Sequence, residues 1–294
     1  MEKKAVVVSA SGFLGKKVKK VFEESGWQVS ATSFPAESGS KGLDVTDAKA
    51  VNKFVAESKA SVVINCSALT SVDWCEENRE ECFAVNALGP KNLAIACRNA
   101  KAKLVHFSTA FVFSGEEQKA YSEEDALKPL NAYAESKAEA EKHIQEVFED
   151  FIIIRTTDLY GFNDMNDKPC FPLWVLGKLK EGKGFEIVKD QFSQPALIDD
   201  VASASLKLVE LGEKGIFHIF GPNYLSKFEF AQRTAKAFGF DSNLVNPIPT
   251  SESPMKAPRP KFLRMATQKA SALGIKPSGV DKGLALMKKQ MGKN

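Results

Sequence analysis

Cysteine and histidine are scarce in this chain and poorly spaced for metal. The five cysteines, at 66, 75, 82, 97 and 170, form no CxxC pair and have no histidine at ligand spacing. An odd, scattered set excludes a disulfide framework and a structural zinc, and reads as buried free thiols. No apolar run approaches the ~20 residues of a membrane span. The start, Met-Glu-Lys-Lys followed by only a few apolar residues, is too short for a secretory h-region, so a cytoplasmic location is expected. No single sign of charge dominates. Forty Lys and Arg against 37 Asp and Glu leave a net charge of +3, too small to imply nucleic acid. There is no internal repeat and no low-complexity tract. One local bias stands out, ten basic residues against the single acid Asp281 from Lys256 onward. It reads as a solvated basic surface or as local attraction for an anionic ligand.

What is present is ordinary globular composition, 44% hydrophobic over 294 residues, enough for a sizeable core in one large or two unequal domains. Strands and helices alternate through the first half. Ala5–Val8 is a short apolar run bounded by Lys and Ser, the pattern of a buried parallel strand. A helix over 13–24 stops at Ser25-Gly26. Strands at 27–33, 61–66, 104–108 and 151–155 alternate with helices over 48–58, 87–100 and 132–147. Asp44 to Asp47 supplies the cap of the helix at 48, with Asp47 placed inside its first turn. Such alternation predicts an α/β fold with a doubly wound parallel Rossmann sheet. After Gly161 the rhythm loosens. Residues 162–172 read as a loop, 199–211 as a helix and 215–219 as a further strand, with two helical segments at the end. The expected division is a dinucleotide-binding domain of residues 1–161 plus about 199–220. A smaller C-terminal α/β substrate lobe takes 162–198 and 221–294.

Directly after the first strand comes Ser9-Ala10-Ser11-Gly12-Phe13-Leu14-Gly15, opening into a helix. A pyrophosphate needs glycine where the backbone passes close to it and where helix meets strand, with N–H groups and the helix dipole facing the phosphates. Gly12 and Gly15 hold those spacings, and Ser9 stands where the fingerprint has its first glycine. Ser9, Ser11, Gly12, Phe13, Leu14 and Gly15 are therefore the expected phosphate loop. An acid ending the second strand would favour NAD. Here the strand ends Thr32-Ser33-Phe34-Pro35. The hydroxyls of Thr32 and Ser33, with Lys16 nearby, favour NADP, with NAD as the alternative.

Tyr133-Ala-Glu-Ser-Lys137 lies on a predicted helix, which puts Tyr133 and Lys137 on one face. The motif follows a strand ending Ser108-Thr109, at the sheet edge where open α/β folds bind ligands. A phenol near pKa ~10 is a poor acid–base group until a cation lowers it, and Lys137 would be that cation. Thr109, Tyr133 and Lys137 are the predicted catalytic set.

Together these residues resemble the extended short-chain dehydrogenase/reductases. Within them the chain is most similar to the dTDP-4-dehydrorhamnose reductases and their eukaryotic relative, the regulatory β subunit of methionine adenosyltransferase. Ser108-Thr-Ala-Phe-Val-Phe113-Ser-Gly115 parallels the family's S-T-D-Y-V-F-x-G, and Tyr133–Lys137 its Y-G-K-[ST]-K. Asn65-Cys-Ser-Ala68 with Thr70-Ser-Val-Asp73 parallels N-A-A-A-x-T-x-V-D. Residues Arg155 to Gly161, Asp190 to Pro195 and Ala257 to Pro260 match later family segments. The resemblance implies cofactor contacts at Asp44, Val45, Cys66, Ser67, Ala68, Tyr133, Lys137 and Thr156. It implies substrate contacts at Thr70, Val72, Ala110, Phe111, Gln191, Pro195 and Arg259. The glutamates that bind magnesium in some bacterial members have no counterparts near Gly15, so no metal is expected. Departures fall at Ser9, at Ala110-Phe111 for Asp-Tyr, and at Ala134-Glu135 for Gly-Lys. The implied activity is NADP(H)-dependent reduction of a keto group on a nucleotide-linked deoxysugar. The alternatives are an NADP-binding regulatory subunit of a partner enzyme such as methionine adenosyltransferase, or another sugar epimerase or dehydratase. A homodimer or a partner-enzyme complex is compatible with each.

Overall fold

In the computed structural model, which describes residues 3–116, 118–162 and 169–292, the chain opens β1 (Lys4–Val8), α1 (Phe13–Glu24), β2 (Gln28–Ser33), β3 (Lys41–Gly42), α2 (Ala48–Ser58) and β4 (Val62–Asn65). Two short helices follow, α3 (Val72–Glu77) and α4 (Arg79–Phe83), and then a π turn at Ala84–Leu88 leads into α5 (Gly89–Ala100). Next come β5 (Lys103–Thr109), β6 (Ala120–Tyr121), α6 (Ala132–Val147) and β7 (Phe151–Thr156). The remainder comprises α7 (Phe171–Lys180), β8 (Phe185–Val188), β9 (Phe192–Ser193), α8 (Ile198–Glu210), β10 (Gly215–His218), β11 (Leu225–Ser226), α9 (Lys227–Phe238), β12 (Val245–Ile248), β13 (Arg264–Met265), α10 (Gln268–Ala272) and α11 (Val280–Met291).

Seven strands form one parallel sheet in the order β10-β7-β5-β4-β1-β2-β3. The order reverses between β1 and β4, which makes a crevice at the carboxyl ends of those strands. Alternation along each strand builds two cores. Val7, Ile64, Val105 and Ile154 face α1 and α8 through Val18, Phe22, Val201 and Leu208. Val6, Val63, Leu104 and Ile153 face α2, α5 and α6 through Val51, Leu93 and Ile144. The six other strands pair two by two outside this sheet, as β11-β9, β12-β8 and β13-β6. Among the described residues no helix is long and apolar enough to cross a membrane, and all five cysteines are free, three of them buried.

Several expectations need correction. Asp47 is the N-cap of α2 and not part of its first turn: its side chain accepts from Lys49 N and Ala50 N, both at 3.0 Å. The span 162–172 is not all loop, because α7 begins at Phe171 with Pro172 in its first turn, where a proline's missing N–H costs nothing. Residues 163–168 of that expected loop lie outside the described residues. The helix expected from 87 starts at Gly89, after the π turn.

A buried ion pair ties α6 to the sheet. Arg155 of β7 and Glu141 of α6 are 2% and 0% exposed and meet at 2.7 Å. Ser108 of β5 also donates to the same carboxylate. His218 of β10 completes the cluster. Its Nε2 accepts from Arg155 Nη1 at 3.3 Å, so Nδ1–H donates to Ala266 O at 3.1 Å. Burial and the adjacent guanidinium hold His218 down to about 3. The unfolded chain takes up a proton at His218 near ~6.5, whereas the folded chain resists it. Stability from this residue is therefore full above pH ~6.5 and falls by about 1.4 kcal/mol for each unit below it, down to about 3. Urea unfolding at pH 7 and pH 5 checks this, and a His218→Gln variant with the same pH slope as the parent would contradict it.

Candidate active site

The loop after β1 carries the structural demand of a phosphate cradle. Ser9 takes a left-handed φ of +57, the conformation for which glycine is the usual choice. Its carbonyl then lies beneath the start of α1, where a Cβ built on Gly15 would sit 2.1 Å from Ser9 O and 2.9 Å from Ala10 Cα. No side chain could fit there. A Cβ on Gly12 would meet the same carbonyl at 3.2 Å. Gly12 caps α1 without a side-chain hydrogen bond, and Ser9, Ser11, Gly12, Phe13 and Leu14 are all partly exposed around it. The loop thus fits an anionic group held by backbone and helix dipole. Replacing Gly15 by Ala is expected to push the loop off α1 and abolish stabilisation by NADP in a thermal-shift measurement. A parent-like shift would count against this cradle.

The expected role of Thr32 and Ser33 is not met. Both are enclosed, at 0% and 1% exposure. Thr32 Oγ1 has no hydrogen-bond partner among the described residues, and Ser33 Oγ is engaged with Ser40 Oγ and Glu37 N. Neither hydroxyl reaches a surface where a 2′-phosphate could lie. Phe34, the next residue, is 70% exposed. Val45 is a core residue whose carbonyl accepts from Asn92 Nδ2 at 3.0 Å, and Asp44 Oδ1 is taken up by the N–H and hydroxyl of Thr46.

Beyond β4, Cys66, Ser67 and Ala68 run partly exposed along the same edge. Asn65 holds the turn, with its Oδ1 accepting from Ser67 N at 3.0 Å and from Ser67 Oγ at 2.6 Å. Asn86, in the π turn, clamps the next residue by accepting from Leu69 N at 2.8 Å and donating to Leu69 O at 2.9 Å. Thr156, at the end of β7, carries a buried Oγ1 with no hydrogen-bond partner among the described residues.

Thr109 ends β5 and Tyr133 enters on the first turn of α6, which Asn131 caps by accepting from Ala134 N at 2.9 Å. The Thr109 hydroxyl, whose oxygen accepts from Phe111 N at 3.2 Å, lies beside the phenol, and burial pushes the phenol up to about 12 despite that neighbour. Phe111 packs edge-on against the Tyr133 ring at 6.2 Å, while Ala110 behind it is 0% exposed and supports the site without facing it. Lys137, one turn further along, is 1% exposed. Its Nζ donates to Phe107 O at 2.7 Å and lies 3.1 Å from His106 Nε2. The expectation that Lys137 lowers the phenol pKa is thus not met in this geometry. The amine is turned toward β5, and burial brings its own pKa down to about 8.

On the substrate side, Arg259 Nη2 donates to Asp73 Oδ1 at 3.0 Å, and the same oxygen accepts from Lys256 N and Ala257 N. This joins the segment at 256–259 to α3, beside exposed Thr70 and partly exposed Val72. Gln191 is nearly buried and donates to Thr250 Oγ1 at 3.1 Å. Pro195 is buried, and its carbonyl lies 2.3 Å from where a Gly221 Cβ would be. Four of the basic C-terminal residues are engaged by the protein itself. Lys256 pairs with Glu77, Arg259 with Asp73, and Lys269 and Lys288 donate to the carbonyls of Ile216 and Ala237.

A doubly wound parallel sheet, a glycine cradle after β1 and a Thr-Tyr-Lys set on β5 and α6 define a dinucleotide-binding protein of the short-chain dehydrogenase/reductase class. More narrowly, the chain belongs to the family described as the RmlD substrate binding domain, which matches residues 3–292. It is 33% identical over 280 residues to a dTDP-4-dehydrorhamnose reductase of Mycolicibacterium smegmatis, covering 94% of this chain and 82% of that one. The crystal structure of a dTDP-4-dehydrorhamnose reductase from Clostridium acetobutylicum superposes with a TM-score of 0.90 at 31% identity, over 98% of this chain and 99% of that one. A Bacillus anthracis dTDP-4-dehydrorhamnose reductase solved in complex with NADP gives 0.91 at 28% identity, over 99% and 100%.

Proposed function

We propose that this chain reduces the 4-keto group of a nucleotide-linked 6-deoxysugar, dTDP-4-dehydrorhamnose in the first instance, with NADPH as reductant. The observation that carries this reading is the placement of Thr109, at the end of β5, next to Tyr133 on the first turn of α6, with Lys137 one helical turn further along. The fit of the phosphate loop supports the cofactor, with Ser9, Ser11, Gly12, Phe13, Leu14 and Gly15 at the pyrophosphate and Cys66, Ser67, Ala68 and Thr156 along the nicotinamide side. The chemistry a bound nicotinamide dinucleotide supplies is a hydride to the carbonyl carbon.

Tyr133 supplies the other half of the reduction, a proton to the carbonyl oxygen as negative charge develops there. At about 12, the phenol is fully protonated at neutral pH and so is in the form required of an acid. Thr109 hydrogen-bonds the same oxygen and sets its distance from the phenol. Phe111 presents an apolar edge beside the reacting carbon, suited to a deoxygenated sugar carbon. Arg259, held by Asp73, and Gln191, held by Thr250, border the sugar and its diphosphate. We assign residues 1–161 and about 199–220 to cofactor binding, and 162–198 with 221–294 to the substrate lobe.

Purified protein mixed with NADPH and dTDP-4-dehydrorhamnose is expected to consume NADPH absorbance in proportion to substrate added. Absence of consumption, with NADPH binding intact, would exclude this substrate. The apolar Ala110-Phe111 pair favours one second reading, a cofactor-binding subunit that modulates a partner enzyme. Cofactor binding without turnover, together with a stoichiometric partner on purification, would select it.

A further inference from the structure

His106 lies in β5 at 0% exposure, among strand positions that otherwise supply hydrophobic core. It is bonded on both ring nitrogens. Nδ1 is 3.1 Å from Asn65 Nδ2, and Nε2 is 3.1 Å from Lys137 Nζ. The backbone decides which nitrogen carries the proton. Ser67 N, which can only donate, reaches Asn65 Oδ1 at 3.0 Å, so the amide cannot be turned over and its NH₂ must face the imidazole. Nδ1 is then the acceptor, and the ring proton sits on Nε2. An Nε2–H aimed at Lys137 needs a lone pair to receive it, and an ammonium has none.

We infer that His106 is a positioning residue for Lys137: its Nε2–H donates to Nζ, so the free protein holds Lys137 as a neutral amine turned toward β5. The amine keeps two N–H donors, one of which is spent on Phe107 O at 2.7 Å. Other groups facing Lys137 are Cys66 beyond β4, Cys82 of α4 and Glu141 on its own helix. Of these, the Glu141 carboxyl is already engaged by Arg155 and Ser108. Burial pushes both groups toward their neutral forms, lowering Lys137 and holding His106 well below its ordinary value. With Lys137 turned toward β5, the burial that pushes the Tyr133 phenol up is not offset by that amine. To act as a cation beside the phenol, Lys137 must first take a proton from solvent and release the imidazole.

This inference rests on the reading of Lys137 as part of a reductase site, and its test separates the two. In ¹⁵N-labelled protein without cofactor, two-bond proton–nitrogen correlations are expected to show His106 protonated on Nε2 and bare on Nδ1 at neutral pH. In ¹³C-lysine-labelled protein, the Lys137 side-chain signal, assigned by its loss in Lys137→Met, is expected to titrate well below the ordinary ~10.4. His106→Asn keeps an acceptor for Asn65 but no donor for Lys137, and should raise that midpoint by about one unit, a tenfold gain in proton affinity. His106→Gln restores an N–H near the Nε2 position and should bring the midpoint back. The alkaline limb of kcat/KM should move with it in both variants. A proton on Nδ1, or a midpoint untouched by His106→Asn, overturns the inference even if the protein is an active reductase. Conversely, a confirmed tautomer in a protein without NADPH turnover removes the reductase reading and leaves the His106–Lys137 pair standing.

Discussion

Replacing Tyr133 by phenylalanine is expected to lower kcat for the keto-sugar by about 10²- to 10⁴-fold, the range in which one positioned acid contributes. The Kd for NADPH should stay within about threefold, because the substitution removes a hydroxyl and leaves the ring that packs on Phe111 at 6.2 Å. Single-turnover NADPH oxidation and a fluorescence titration of cofactor binding measure the two separately. The substitution keeps the ring's packing on Phe111, so it should cost little stability. A Tyr133→Phe protein that turns over like the parent would show that the proton comes from elsewhere. One that no longer binds NADPH would show that the ring's role is structural.

The largest stability effect is expected at Glu141. Changing it to Leu leaves Arg155 buried at 2% exposure with its bidentate partner gone. A buried charge left without its partner costs about 3–5 kcal/mol. Denaturant unfolding at neutral pH measures this. Pairing Glu141→Leu with Arg155→Met should recover much of the loss, since an apolar pair needs no compensation. Ser108 and the Glu123 carbonyl would still lack their partners, so recovery should be incomplete. A Glu141→Leu protein within about 1 kcal/mol of the parent would mean that water reaches Arg155.

Much of this architecture was legible in the sequence because it is written in local terms. The helix over 13–24 was readable to the residue, since Gly12 opens it and Ser25-Gly26 closes it. Strands such as Ala5–Val8 are buried on both faces and show as unbroken apolar runs. The errors have physical sources. Thr32 and Ser33 looked available because they end a strand, but the turn from Phe34 to Ser40 folds back and closes over Ser33. Pro172 looked like part of a loop and instead starts a helix. The short helices α3 and α4 span six and five residues, too few to show a period. Tyr133 and Lys137 were legible as a face of one helix. What Lys137 touches was not, because His106 lies 31 positions away and side-chain direction does not follow from spacing. A polar residue in the middle of an apolar strand was the available signal, and Asn65 and Glu141 gave weaker versions of it.

Tyr133, Lys137 and Glu141 stand at successive four-residue steps on α6, and this has a consequence for length changes in the gene. An extra residue before Asn131 falls in non-helical chain and leaves all three aligned. An extra residue between 133 and 141 turns everything downstream by about 100°. An insertion before Lys137 would turn the amine and the anchor to Arg155 away from the acid, and one after Lys137 would turn the anchor away from both. Substitutions at the other positions of that stretch keep these three residues aligned, whereas an insertion or deletion does not. Any recombination between this chain and a relative should therefore carry residues 131–147 as one uninterrupted block.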